Sequence, residues 1–149
     1  MIILRAYFIF NRRGLTVLLL IITAVFLVCC EVFAAGEIDE NAKTNSDRIT
    51  FIENSGYELL LNEPTVKTVT IPEKFSSVYN NYNDLQREAG YDLSDYKGCK
   101  ATIYTYSVVP PEDYSGDCVF NMIVYNNRVI GGDVSSPYLN GFMLPIKSE

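Results

Sequence analysis

The chain has 149 residues with twelve basic and eighteen acidic side chains, no histidine, no tryptophan and a formal net charge of −6. Lack of histidine excludes Ser-His-Asp and Cys-His catalysis and imidazole-based metal sites. Nine of the twelve basic and seventeen of the eighteen acidic residues lie from Ala35 onward, an acidic balance that argues against nucleic acid as a partner.

Arg5, Arg12 and Arg13 precede the uncharged apolar run Leu15–Cys30, and Glu31, Glu37, Asp39 and Glu40 follow it. Basic residues before an apolar segment and acidic ones after it orient a chain with its N-terminus inside and the remainder outside. The run is shorter than the roughly 20 residues that cross a hydrocarbon core, and extension through Ala35 reaches that length. A secretory signal is the alternative, with Val32-Phe33-Ala34 before a cleavage point at Ala34. A lipoprotein would use Cys29 or Cys30, but Val28 and Cys29 are poor preceding residues for lipid attachment. Each reading places the rest of the chain outside the cytoplasm. The division expected is therefore 1–35 as membrane anchor or signal, 36–45 as an acidic linker, and 46–149 as one extracytoplasmic domain. The location expected is the cell membrane, single-pass with the domain outside, or secretion after cleavage.

Ser46 reads as the N-cap of a first helix that stops at Gly56. Tyr57–Leu61 is a short extended piece, and Asn62-Glu63-Pro64 a turn. Thr65–Ile71 alternates β-branched residues as a strand does. Pro72 suits the first position of a second helix, Glu73–Ala89. Phe75, Val78, Tyr79, Tyr82 and Leu85 form its apolar stripe, while Asn80, Asn81 and Asn83 face away into solvent. Ala101–Val108 is a strand with Tyr104 and Tyr106 on one face. Cys118–Tyr125 and Arg128–Val134 form a hairpin about Asn126-Asn127, since Asn tolerates positive φ. A two-residue turn there pairs Val124 with Val129, Ile123 with Ile130 and Met122 with Gly131. The tail Pro137–Pro145 offers Phe142, Met143 and Leu144 to the core. The fold expected is α+β: two helices packed on one face of a small, mainly antiparallel sheet, preceded by the transmembrane or signal helix. Cys99 and Cys118 start two antiparallel strands and so stand a strand's length apart, and no disulfide is expected between them.

Asp92, Asp95, Asp113 and Asp117 sit beside Ser, Gly or Tyr without EF-hand spacing, as turn residues do, so no metal site and no cofactor are assigned. Serines have no base to activate them, and no catalytic residue is assigned. The tyrosines, above all Tyr79, Tyr104 and Tyr106, are binding candidates because tyrosine joins contact area to a polar tip, but tyrosine is also a good strand residue, and core and sheet packing is the favoured reading of them. Gly131, Gly132 and Asp133 form the other candidate. Adjacent glycines admit either a ligand or a packed helix and the tail's Phe142. On the packing reading Gly131→Ala and Gly132→Ala lower stability while Asp133→Ala changes it little. The function expected is a binding or interaction module for an unknown protein or envelope component. A small envelope enzyme of the carboxylate-based glycan hydrolase type is the alternative.

The segments RITFIENSGYEL, VTIPEKFSSVYNNYNDLQREAGYDLSDYKG, IYTYSV, MIVYNNRVIGGDVSS and LNGFM, in that order, resemble the domain of unknown function 4830 family over about Arg48 to Met143. The resemblance implies a short exported or membrane-tethered protein of Gram-positive bacteria and carries no catalytic residue across. The chain departs from the family at Tyr57, where Trp is usual, and at Ser135, where Cys often stands.

Overall fold

A computed structural model describes residues 40–112, 114–138 and 141–146. The predicted anchor or signal segment, and the linker as far as Asp39, lie outside the described residues. The first helix, α1 (Asn45–Asn54), starts at Thr44 rather than Ser46. Thr44 Oγ1 accepts from the Asp47 N–H at 3.1 Å, and Asp47 Oδ2 accepts from the Thr44 N–H at 2.8 Å. This reciprocal capping box satisfies two amides that Ser46 would leave open. Strand β1 (Thr65–Thr70) follows.

The second helix, α2 (Ser77–Glu88), begins four residues later than Pro72 suggests. Ile71, before the proline, has no side-chain acceptor, whereas Ser76 Oγ accepts from the Tyr79 N–H at 3.2 Å. The predicted stripe is turned accordingly. Val78 is 77% exposed, while Asn83 and Gln86 are buried. Asn83 thus belongs to the inner face, not to solvent. A 3-10 turn (Leu93–Tyr96) leads into β2 (Lys100–Val108), β3 (Cys118–Tyr125), β4 (Arg128–Ser135) and β5 (Met143–Pro145).

The five strands pair antiparallel in the order β1-β2-β3-β4-β5. At the β3–β4 turn Asn126 has φ 48° and Asn127 φ 64°, the left-handed pair that a two-residue hairpin requires. The predicted register holds for Val124↔Val129 and then slips. A bulge sets Ile123 opposite Gly131, Met122 opposite Gly132 and Asn121 opposite Asp133. Ile130 and Gly131 both face the α2 side, where Ile130 packs with Ile123 and Leu93. A bulge of this kind places two residues against one and leaves an amide without its ladder partner.

The helices lie on opposite faces of the sheet, not on one. Phe51 and Ile52 of α1 pack with Tyr106, Phe120, Met122 and Val134, and the Phe51 and Phe120 rings meet edge-on at 6.3 Å. Tyr79 and Tyr82 of α2 pack on the other face with Ile103, Ile123 and Ile130. The reason is in the central strands. Met122-Ile123-Val124 and Val129-Ile130 are apolar at successive positions, so both faces need cover. Of the tail, Phe142 packs half-buried against the core as expected and Ile146 is fully buried, whereas Met143 and Leu144 stay exposed. Glu40–Ala42 closes the outer edge of β4: the Val129 N–H donates to the Glu40 carbonyl at 2.9 Å and the Ala42 N–H to the Asn127 carbonyl at 2.8 Å. Among the described residues no helix is long and apolar enough to cross a membrane.

Candidate functional site

Register, not sequence proximity, assembles the most polar part of the sheet. Thr65 pairs with Thr105, Thr105 with Asn121, and Asn121 with Asp133. Directly opposed residues of an antiparallel sheet point to the same face. These four therefore form one transverse row on the α2 face, crossing four strands.

The row is hydrogen-bonded with a fixed polarity. Thr105 Oγ1 donates to Asn121 Oδ1 at 2.8 Å, and Asn121 Nδ2 donates to Asp133 Oδ1 at 2.9 Å. Asp133 is only 4% exposed. It also accepts from Ser135 Oγ at 2.7 Å and, on Oδ2, from the Tyr82 hydroxyl at 2.9 Å. Its charge is thus held by three neutral donors, and the ion pairs of the described residues do not include it. Burial, then the neighbouring Asp133 charge, push the Tyr82 phenol far above its ordinary range. Tyr82 therefore stays protonated and keeps donating.

Gln86 enters the same region from α2. Its Oε1 accepts from the Gly132 N–H at 2.6 Å, satisfying an amide beside the bulge. Its Nε2 is buried without a partner. Both glycines are accounted for by close packing. A Cβ on Gly131 would lie 2.7 Å from Gln86 Oε1, and one on Gly132 would lie 2.2 Å from the Asn121 carbonyl oxygen. Next to Tyr82 in α2, Asn83 Oδ1 accepts from the Leu93 N–H at 2.7 Å and its Nδ2 donates to Asp92 Oδ1 at 2.9 Å. Hydrogen bonds from Ser94 and Asn83 hold the Asp92 carboxyl well below the usual carboxylate range.

The sheet separates the predicted binding residues. Tyr79 lies on the row's side, half-buried, with ring centroids 4.5 Å from Phe75 and 6.0 Å from Tyr82. Gly131 and Asp133 face the same side, while Gly132 is directed toward Ile146. Tyr104 and Tyr106 are on the opposite face. Tyr106 is fully buried, and its hydroxyl accepts from Arg48 Nε at 2.9 Å and donates to Asn45 Oδ1 at 2.7 Å. Burial raises the Tyr106 pKa, and Arg48 opposes that rise. The Arg48 guanidinium lies 3.9 Å over the Tyr104 ring and donates to the Ala42 carbonyl at 2.9 Å.

Among the turn aspartates, Asp92 caps the 3-10 turn, Asp117 accepts from the Tyr138 hydroxyl, and Asp113 lies outside the described residues. The described residues contain no group of three or more Cys, Asp or Glu able to hold a metal ion. Cys99 and Cys118 are free thiols. Cys118 pairs opposite Val108, at the end of β2 remote from Cys99.

The sequence reading did not identify Thr105, Asn121, Ser135 or Gln86. One signal was available. Asn121 interrupts the apolar strand Cys118–Tyr125, and a lone amide in such a strand needs a partner. Its partners could not be named without the bulged register.

A family model described as a domain of unknown function (DUF4830) matches residues 49–134, a span that contains the whole row. No curated protein and no solved structure matches the chain.

Proposed function

This chain belongs to the family described as a domain of unknown function (DUF4830), and from that starting point we propose that it is a binding module, held outside the cytoplasm by an N-terminal membrane anchor. The observation that carries the binding reading is the polar row. It combines half-buried Thr105 and Asn121 with a buried carboxylate that accepts from three side-chain donors. Such a carboxylate fixes the orientation of the side chains that donate to it.

Support for the anchor is the charge asymmetry around Leu15–Cys30. Binding is tested by titrating the isotope-labelled full chain with solubilised envelope material. Resonances of Thr105, Asn121 and Tyr79 are expected to shift, and an unchanged spectrum overturns the reading. Orientation is tested at Lys43, which is exposed, whereas neighbouring Ala42 is buried. In intact cells Lys43→Cys should react with a membrane-impermeant thiol reagent above the background of the parent chain. Reaction only after lysis refutes the orientation.

A further inference from the structure

We infer that the outer edge of β1 is a self-association surface: two copies of this chain pair antiparallel through Thr65–Thr70, centred on Thr68, and join their sheets into one. The surface is a strand edge and not the polar row, so its test is separate from that of the binding reading above. Backbone direction locates the free groups. The Ile71 N–H donates to the Cys99 carbonyl at 3.0 Å and the Ile71 carbonyl accepts from the Gly98 N–H at 2.9 Å, both on the β2 side. An antiparallel ladder turns alternate residues inward, so Val69, Lys67 and Thr65 direct their N–H and carbonyl groups at Ala101, Ile103 and Thr105. Val66, Thr68 and Thr70 then present theirs outward. β1 ends the strand order, and among the described residues nothing pairs with this edge. The other side of the sheet differs, because Glu40–Ala42 and β5 both lie along β4.

Register, charge and composition select a second copy as the occupant. A twofold pairing centred on Thr68 sets Val66 opposite Thr70 and Thr68 opposite its own copy. Each outward N–H of both strands then meets an outward carbonyl. Lys67 is the one charged residue of the strand. In this register it faces Val69 of the other copy, whereas a pairing centred on Lys67 would oppose two ammonium groups, which is unfavourable. Neither paired strand carries a carboxylate, although the chain's net charge is −6. Two acidic domains therefore meet here without opposing their acidic residues. Five of the six residues are β-branched, and Thr68 with Thr68 and Val66 with Thr70 are cross-strand pairs that suit an antiparallel sheet. Leu60, whose N–H donates to the Ser107 carbonyl at 2.9 Å, continues the edge, and Leu60, Leu61 and Val66 are exposed apolar side chains. An open edge of this composition is a template for another strand.

Sedimentation of the purified full-length chain, in detergent with micelles in large excess over protein, tests this. One strand pair is a small interface, so a reversible, concentration-dependent dimer is expected. Thr68→Pro removes an N–H that faces away from β2 and so spares the β1–β2 ladder. Thr68→Lys sets like charges opposite each other at the axis. Each should weaken the dimer by about tenfold or more. Thermal melts check that the variants fold, and Thr68→Lys, at an exposed site, decides the matter if the proline variant does not. Under mild oxidation Thr68→Cys should crosslink to its own copy above the background of the parent chain, because the Cα atoms of a hydrogen-bonded pair lie about 5.5 Å apart. Val66→Cys should not, since its two copies would stand about 13 Å apart along the strands. A monomer at every concentration, a dimer that both Thr68 variants leave unchanged, or a crosslink from Val66→Cys in place of Thr68→Cys overturns the proposal. So does a crosslink in intact cells from Thr68→Cys to a chain of different mass, which assigns the edge to a foreign strand.

Discussion

Asp133 is the residue on which the α2 face depends. Removing its carboxylate strands three donors in a region with little access to water: the Tyr82 hydroxyl, the Asn121 amide and the Ser135 hydroxyl. Buried donors left without an acceptor cost about 1–3 kcal/mol each in mutational series, with partial relaxation. Asp133→Ala is therefore expected to destabilise by about 3 kcal/mol, against the small effect that sequence reasoning assigns to an aspartate after two glycines. A melting temperature within a degree of wild type would show that the donors find other partners. The glycines differ from each other. Gly132→Ala drives a methyl to 2.2 Å from a backbone oxygen, which cannot swing away, whereas Gly131→Ala meets the mobile end of Gln86 at 2.7 Å. Gly131 adds backbone strain, with φ at +154°. Both variants should melt below wild type, Gly132→Ala the lower.

At the level of elements, α2 shows how local signals compete. Pro72 is compatible with a helix start, but Ser76 supplies the capping acceptor, and the helix begins where its amides are satisfied. Rephasing brings Asn83 inward, where it binds both Asp92 and the Leu93 amide and so fastens the 3-10 turn to the helix. Asn83→Ala should cost about 2 kcal/mol. Val78→Ala, on the exposed side, should stay within about 0.5 kcal/mol. Chemical denaturation of the two variants side by side checks the phase of the helix, and equal losses would contradict it. The same junction sets an acid limit. The folded pKa of Asp92 is depressed. Its contribution is therefore present above the unfolded carboxylate value, about 4, and fades as pH falls below it. The gap in melting temperature between wild type and Asp92→Asn should be open at pH 6 and narrow below pH ~4. A gap constant across that range refutes the assignment.

For the whole molecule, the domain is larger than the family match over residues 49–134. That span omits the Thr44–Asp47 capping box, the Arg48 guanidinium that links Ala42 to Tyr106, and the buried Ile146. A chain trimmed to 49–134 should lack a cooperative thermal transition by circular dichroism, whereas one starting before Glu40 and retaining Ile146 should keep it. A sharp melt from the trimmed chain would show that these contacts are dispensable.

What the sequence by itself determined are the features set by neighbours along the chain. The strands follow from period-two alternation, the β3–β4 turn from two asparagines that accept positive φ, and the antiparallel α+β class from a run of strands that follows the second helix. The ordered motifs of the resemblance likewise pointed to the family that the match over 49–134 shows. Only the tertiary structure decided the rest. Strands apolar on both faces do not say which helix covers which face. A one-residue bulge cannot be read from alternation, yet it decides that Asp133, not a glycine, stands opposite Asn121. The contacts that define the row's inner end join residues 51 and 46 positions apart, Tyr82 with Asp133 and Gln86 with Gly132. A buried polar group takes as partner whatever the packed fold brings within about 3 Å, and no local pattern encodes that proximity.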